Sequence, residues 1–167
     1  MNLNITSQQQ ERPRFWLPLG ILLAIVFVVA GIGGAVTAAS VDTWYRALAK
    51  PAINPPDWIF GPVWTALYIL MALAAAVVWR RGAGYERRLA MSFFFAQLAL
   101  NLGWSCLFFG LHLIGGAFAW LLLLWTAIAG TLIAFWRIDR RAGWLLIPYL
   151  AWVSFAGVLN FLIWRLN

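Results

Sequence analysis

The sequence is poor in the side chains that carry most solution chemistry. Its 167 residues hold one cysteine, one histidine and five acidic residues. A lone cysteine excludes an intramolecular disulfide. Cys106 lies in an apolar stretch with no cation in it, so it reads as a small packing residue rather than a nucleophile. One histidine, His112, excludes bis-histidine haem ligation and leaves no Cys/His cluster for zinc. His112 ends an apolar run and reads as a polar cap near the lipid headgroups. Charged residues make up 10% of the chain, against about 25% in soluble domains. No general acid–base pair stands beside a nucleophile, so ordinary enzymatic turnover is not expected. No repeat of 20–50 residues is visible.

What is abundant is apolar and aromatic. Apolar residues make up 64% of the chain, and 12 of its residues are tryptophan. Crossing a bilayer takes about 20 mostly apolar residues. Five runs qualify, at Phe15–Ala38, Ile59–Trp79, Leu89–Leu111, Ala117–Trp136 and Trp144–Trp164, and none has a charged residue in its interior. Backbone groups in lipid must be satisfied within the segment, so these runs are helices. The expected fold is an all-α integral membrane protein, a bundle of five transmembrane helices. Residues 1–14 form a polar tail and 15–167 a single membrane domain. The first run resembles a signal peptide in its flanks, with Arg12 and Arg14 before it and Thr37-Ala38-Ala39-Ser40 near its end. It is longer than the ~7–15-residue core of such a signal, and is read as a span.

A formal charge of +7 raises nucleic acid as a partner. The basic residues instead sit at the ends of apolar runs, which is the pattern of membrane topology. Arg12, Arg14, Arg80, Arg81, Arg87, Arg88, Arg137, Arg140 and Arg141 fall on one side, and only Arg46, Lys50 and Arg165 on the other. In an inner membrane this bias puts the N-terminus in the cytoplasm. Trp16, Trp79, Trp136, Trp144 and Trp164 lie near span ends, as an interfacial belt would.

Residues 82–86 and 140–143 read as tight turns, whereas 44–64, WYRALAKPAINPPDWIFGPVW, has room for structure of its own. Asp42 is placed to cap a short helix carrying Trp44, Tyr45 and Leu48. Lys50 precedes Pro51 and so prefers extended backbone, which ends that helix. Asn54-Pro55-Pro56-Asp57 makes a stiff turn and then a helix start with an acid in its first turn. Pro62 falls near the start of the second span, where its missing donor costs least. The loop between helices 1 and 2 is therefore expected to be ordered and to fold over the end of the bundle.

Three spans carry polar or aromatic faces at helical spacing. Gln97, Asn101, Trp104, Ser105 and Phe108 share one face of the third. Tyr149, Trp152, Ala156 and Asn160 share one on the fifth, and Trp64, Tyr68 and Met71 one on the second. Amides in hydrocarbon need partners, so these faces point inward. Two readings stay open at this point: a ligand pocket with aromatic walls and few polar groups, or amides that only tie helices together. Ala96, Ala99 and Gly103 make the third helix a candidate for close contact, and Ala99-x-x-x-Gly103 is a small-xxx-small pattern suited to dimerisation.

Several stretches together resemble the TspO/MBR family, the tryptophan-rich sensory or translocator proteins, also called peripheral benzodiazepine receptors. They are Trp44-Tyr45-x-x-Leu48-x-Lys50-Pro51, Pro55-Pro56-x-Trp58-x-Phe60 and Trp64-x-x-Leu67-Tyr68. Gln97-Leu98-x-Leu100-Asn101-x-x-Trp104-Ser105-x-x-Phe108-Phe109, Ala142-Gly143-x-Leu145-Leu146-x-Pro148-Tyr149-x-x-Trp152 and Leu159-Asn160 complete them. The resemblance implies a five-helix bundle, commonly dimeric, that binds porphyrins such as protoporphyrin IX and haem, and hydrophobic drug-like ligands, under the first loop. The positions that match the family's pocket are Tyr45, Pro55, Trp64, Asn101, Trp152, Ala156 and Asn160. It implies no obligatory cofactor, the porphyrin being a ligand, and a place in tetrapyrrole or stress regulation. Light-dependent breakdown of protoporphyrin IX is reported for some members. Sterol recognition by animal members uses a C-terminal pattern with a central Tyr. Phe161 takes that place here, although Arg165 remains, so sterol binding through this element is not expected.

These readings combine into expectations. The 44–64 loop is a lid whose prolines reduce the entropy cost of closing on a ligand. Arg46 or Lys50 at the mouth pairs with a propionate, an inference from charge alone. Trp64 and Trp152 are the electron donors if an excited porphyrin reacts. The first alternative is a transporter of porphyrins or related solutes. With no ionisable residue inside a span, it would not be ion-coupled. The second is a scaffold whose polar faces only join helices.

Overall fold

The computed structural model describes residues 15–167, so the tail at 1–14 lies outside the described residues, with Arg12 and Arg14. Five long helices follow one another: α1 Trp16–Ser40, α2 Phe60–Arg81, α3 Gly84–Ser105, α4 Ile114–Ile138 and α5 Arg140–Leu166. All five are long and apolar enough to cross a membrane. The chain is thus a multi-pass integral membrane protein with an all-α bundle. Around the bundle the order is α1, α2, α5, α4, α3 and back to α1.

The first run is a packed span, seated against α2 and α3. Its end departs from expectation. No separate helix capped by Asp42 follows it. The helix continues through a π turn at Val41–Tyr45, and the Asp42 carboxylate pairs with Arg46 at 2.6 Å, one turn on. A second π turn, Cys106–Gly110, ends α3. A π turn carries one residue more than an α turn and leaves backbone groups without α-helical partners. Here the two turns help satisfy each other. The Ser40 hydroxyl at the start of one donates to the Phe109 carbonyl in the other, at 2.7 Å.

Two connections are shorter than residues 82–86 and 140–143 suggested. Glu86 and Arg141–Gly143 are already helical. Only Gly82 and Ala83 separate α2 from α3, and Gly84 opens α3 at φ +53°, a value that suits glycine. Asp139 alone joins α4 to α5. Its carboxylate accepts from the Arg141 backbone N–H at 2.8 Å, which caps α5, and also pairs with Arg81 of α2 at 2.9 Å. Helices run past the apolar runs because charges at helix ends reach water and complement the dipole. Glu86 sits in the first turn of α3, and Arg80 and Arg81 in the last turn of α2.

Away from the loop end the interior is solid. Ala72, Ala74, Ala75 and Ala76 of α2 are fully buried and let neighbouring helices approach closely. Phe94, Ile128, Phe135 and Leu146 close around them. Gly143 lies directly under the Trp136 ring, with no room for a Cβ. Trp136 is therefore partly a packing residue. Trp16, Trp79, Trp144 and Trp164 are exposed, as a belt requires. Gly103 is also occupied from within the chain. A Cβ there would meet the Trp120 ring at 2.8 Å, and the Trp120 indole donates to the Leu100 carbonyl at 2.8 Å. The close contact predicted at Gly103 is with α4 of the same chain, while Ala96 and Ala99 stay exposed. Cys106 is half-buried, at the first position of its π turn.

Candidate functional site: an aromatic cavity beneath the first loop

Toward the loop end the helices part. A cavity of about 670 Å³ lies between α1, α2, α3 and α5, within the range of small-molecule sites. Its α1 wall is made of small residues, including Gly31, Gly34 and Ala38. Nothing lies within 4 Å of a Cβ built on Gly31 or Gly34, so those glycines leave open space. The remaining wall is largely aromatic. Trp64 and Tyr68 come from α2, Trp104 and Phe108 from the end of α3, and Trp152 from α5.

These rings brace one another. Trp104 stacks on Phe108 at 5.3 Å and 22°. Trp64 meets Tyr68 at 5.7 Å and the edge of Tyr149 at 6.1 Å. Trp152 meets Phe60 at 5.8 Å. Such pairs contribute about 0.5–1.5 kcal/mol each beyond area burial, so the walls are pre-formed.

The polar faces predicted on three helices do converge, and they divide by depth. Beneath the cavity a buried chain of hydrogen bonds joins α2, α3 and α5. The Tyr68 hydroxyl donates to Asn101 Oδ1 at 2.9 Å, and Asn101 Nδ2 donates to the Tyr149 hydroxyl at 3.1 Å. The Tyr149 hydroxyl in turn donates to Gln97 Oε1 at 2.8 Å, and Gln97 Nε2 reaches the Met71 sulfur at 3.7 Å. Nearer the loop, the Trp104 indole donates to Asn160 Oδ1 at 3.0 Å, and Asn160 Nδ2 donates to the Ile114 carbonyl at 2.9 Å. The amides thus tie helices together and border the cavity at once. Trp64 and Trp152 differ from Trp104: among the described residues neither indole N–H has a partner. Among the described residues no fully buried side-chain N or O lacks one. Both N–H groups therefore reach open space.

Of the positions singled out in the sequence, Tyr45, Trp64, Asn101, Trp152, Ala156 and Asn160 line this one cavity. Pro55, Arg46 and Lys50 do not. Pro55 shapes the loop, where its carbonyl accepts from Asn54 Nδ2 at 3.0 Å. Arg46 is held by Asp42. The Lys50 ammonium sits over the Tyr45 ring, 4.2 Å from its centroid. The loop is ordered. The Tyr45 hydroxyl donates to Asn54 Oδ1 at 3.0 Å, and the Asn167 side chain clips Ala49 by both its N–H and its carbonyl, each at 3.0 Å.

Lining residues that sequence reasoning did not single out as a site include the α1 wall, Phe60 and Asp57, whereas Trp58, expected to offer flat apolar surface from the lid, does line the cavity. The α1 run is apolar on every side, so periodicity could not show its inner face. Its cluster of glycines was the available signal. Among the described residues no group of three His, Cys, Asp or Glu side chains could hold a metal ion.

A five-span bundle with an aromatic cavity closed by an ordered first loop defines a class of small membrane proteins with an internal site. Residues 21–165 match the TspO/MBR family, and the chain belongs to it. It is 42% identical over 154 residues to the Tryptophan-rich protein TspO of Chlorobaculum tepidum, covering 90% of this chain and 96% of that one. Protein CrtK of Rhodobacter capsulatus is 42% identical over 150 residues, 87% of this chain and 92% of its own. The human Translocator protein is 40% identical over 126 residues, 74% of this chain and 75% of its own.

Proposed function

We propose that the protein is a membrane receptor or sensor that holds porphyrins and other flat hydrophobic ligands in the cavity beneath the first loop. The observation that carries this reading is the pairing of Trp64 and Trp152. Both line one cavity of about 670 Å³, and among the described residues neither indole N–H has a partner. Tyr45, Asn101, Ala156 and Asn160 complete the contact surface, and Pro55 stiffens the lid. Lys50, held over the ring of the lining residue Tyr45, is the cation best placed to meet a propionate outside the lid. Arg46 would first have to leave Asp42. Under light, Trp64 and Trp152 are the electron donors we assign. One electron passes to the excited ring, leaving an indole radical cation and a porphyrin radical anion, with dissolved dioxygen as the oxidant for further breakdown. The bias of basic residues supports a cytoplasmic N-terminus in an inner membrane, and family membership supports a homodimer.

The test is quenching of tryptophan fluorescence as protoporphyrin IX is titrated in the dark, with Trp64→Phe/Trp152→Phe beside the parent. Saturable quenching that weakens in the double variant is expected. Unsaturable quenching, equal in both, would mean that porphyrin only partitions into detergent.

The name of the human relative supports a second reading, movement of such ligands across the bilayer. With no charged residue inside any span, that movement would be uncoupled from ions. Net porphyrin flux in sealed liposomes separates it from binding alone.

A further inference from the structure

The charges around the lid are not equivalent. Asp42 and Arg46 neutralise each other on an exposed surface. Lys50 lies on the Tyr45 ring and does not line the cavity. Asp57 does, and among the described residues it is the only charged side chain that does. It occupies the first position of the short helical turn Asp57–Ile59 that leads into α2, and it makes no ion pair with any described residue. Trp58, Phe60, Tyr45 and Trp64 line the same cavity.

A carboxylate among aromatic faces is a particular chemical environment. The faces carry the negative end of the ring quadrupole and attract cations. The carboxylate adds a full negative charge, which water partly screens because Asp57 is exposed. Both act in the same direction. A cationic group entering here gains from each, and a carboxylate is repelled by each. The expectation from sequence placed a cation at the mouth to receive an acid. On the cavity side of the lid the charge is that of Asp57, which is negative.

We infer that Asp57 sets the charge preference of the cavity, favouring flat aromatic ligands that carry a cationic amine and turning the acidic edge of dicarboxylate ligands outward. This rests on the ligand-cavity reading above and specifies which ligands, and which ligand end, the cavity takes. Discrimination by repulsion of the wrong charge is as effective as attraction of the right one.

One ring with three kinds of side arm isolates the charge. Protoporphyrin IX supplies the diacid and its dimethyl ester the neutral form. The bis(aminoethyl amide) made from the same propionates supplies the cation. Affinities are read by tryptophan quenching in a non-ionic detergent, for the parent, Asp57→Asn, Asp57→Glu and Asp42→Asn. In the parent the cation binds tightest and the diacid weakest, with each step roughly two- to fivefold, as for a partly exposed charge pair. Asp57→Asn collapses the order toward the ester's value, tightening the diacid and weakening the cation. Asp57→Glu and Asp42→Asn keep the order. A parent that binds the diacid tightest, or an order unchanged in Asp57→Asn, overturns the inference and leaves the cavity reading intact. An ester that fails to quench saturably in the parent overturns the cavity reading itself.

Discussion

The indole of Trp44 lies flat on the imidazole of His112, with centroids 4.1 Å apart and planes 18° from parallel. His112 also places Nε2 3.2 Å from the Ser40 hydroxyl, whose own proton goes to the Phe109 carbonyl. The ring is thus the donor in that contact. His112 holds this position at φ 57°, in the left-handed region that few residues other than glycine enter, His, Asn and Asp more readily than the rest. More than a polar cap, it fastens the end of α1 to the link between α3 and α4. His112→Ala loses the stack and the hydrogen bond while keeping the backbone cost, and should destabilise by about 1–2 kcal/mol. His112→Gly loses the same contacts but relieves the backbone, and should recover about 0.5–1 kcal/mol of that. Chemical unfolding in detergent measures both. Equal stabilities would show that the conformation carries no strain.

Asn101 is the hub of the buried chain, with one bond from Tyr68 and one to Tyr149. Asn101→Ala leaves the Tyr68 hydroxyl without its acceptor, while the Tyr149 hydroxyl keeps its bond to Gln97, and should cost about 1–3 kcal/mol. Tyr68→Phe removes a single membrane hydrogen bond, on average about 0.6 kcal/mol. Because the two share a bond, the double variant should cost less than the sum. Strict additivity in an unfolding cycle would refute the bond as a source of stability.

Glycines of this chain should respond in opposite ways. Gly143→Ala drives a methyl into Trp136 and should cost about 1–3 kcal/mol through overpacking. Gly34→Ala meets nothing within 4 Å and should leave stability within about 0.5 kcal/mol of the parent. It adds bulk to the cavity wall, so porphyrin quenching should weaken. A Gly34→Ala protein with unchanged affinity would place the ligand away from α1.

The Asn167 clip makes its own prediction. It holds the Ala49 N–H at 3.0 Å from the end of α5, next to the cavity lid. Asn167→Ala should speed hydrogen exchange at Ala49 about fivefold or more, the loss of roughly one net hydrogen bond. Exchange at Tyr68, deep in α2, is the internal reference. Parallel acceleration at both sites would mean general loosening rather than release of the lid.

The five helices were legible because lipid imposes a length and forbids charge inside it, and those two signals are read directly from residues such as Phe15–Ala38. Their true ends were less legible. Glu86, Arg140 and Arg141 look like turn residues by polarity, yet are helical because their exposed side chains reach water. The inner faces of α2, α3 and α5 were readable from periodicity, since Asn101, Asn160 and Trp152 contrast with aliphatic neighbours. The α1 wall offered no such contrast. Pro148 inside α5 gave no break, as helix-breaking residues are tolerated where neighbours re-satisfy the backbone. The pairing of Arg46 with Asp42 follows the ordinary i,i+4 helix spacing, whereas that of Lys50 with Tyr45 arises in the loop after the π turn, which no local preference announces.

That π turn has a consequence for how the lid is aimed. Each residue of a helix advances the chain by about 100° around its axis. The extra residue held at Val41–Tyr45 therefore sets the phase of everything after it, and Tyr45 points into the cavity because of a count. Deleting one residue there would restore ordinary helical winding and swing Tyr45, Lys50 and Asn54 to another bearing. Composition and apolar content would hardly change. In this protein the direction of the lid is stored as chain length, a quantity that substitution scanning leaves untouched.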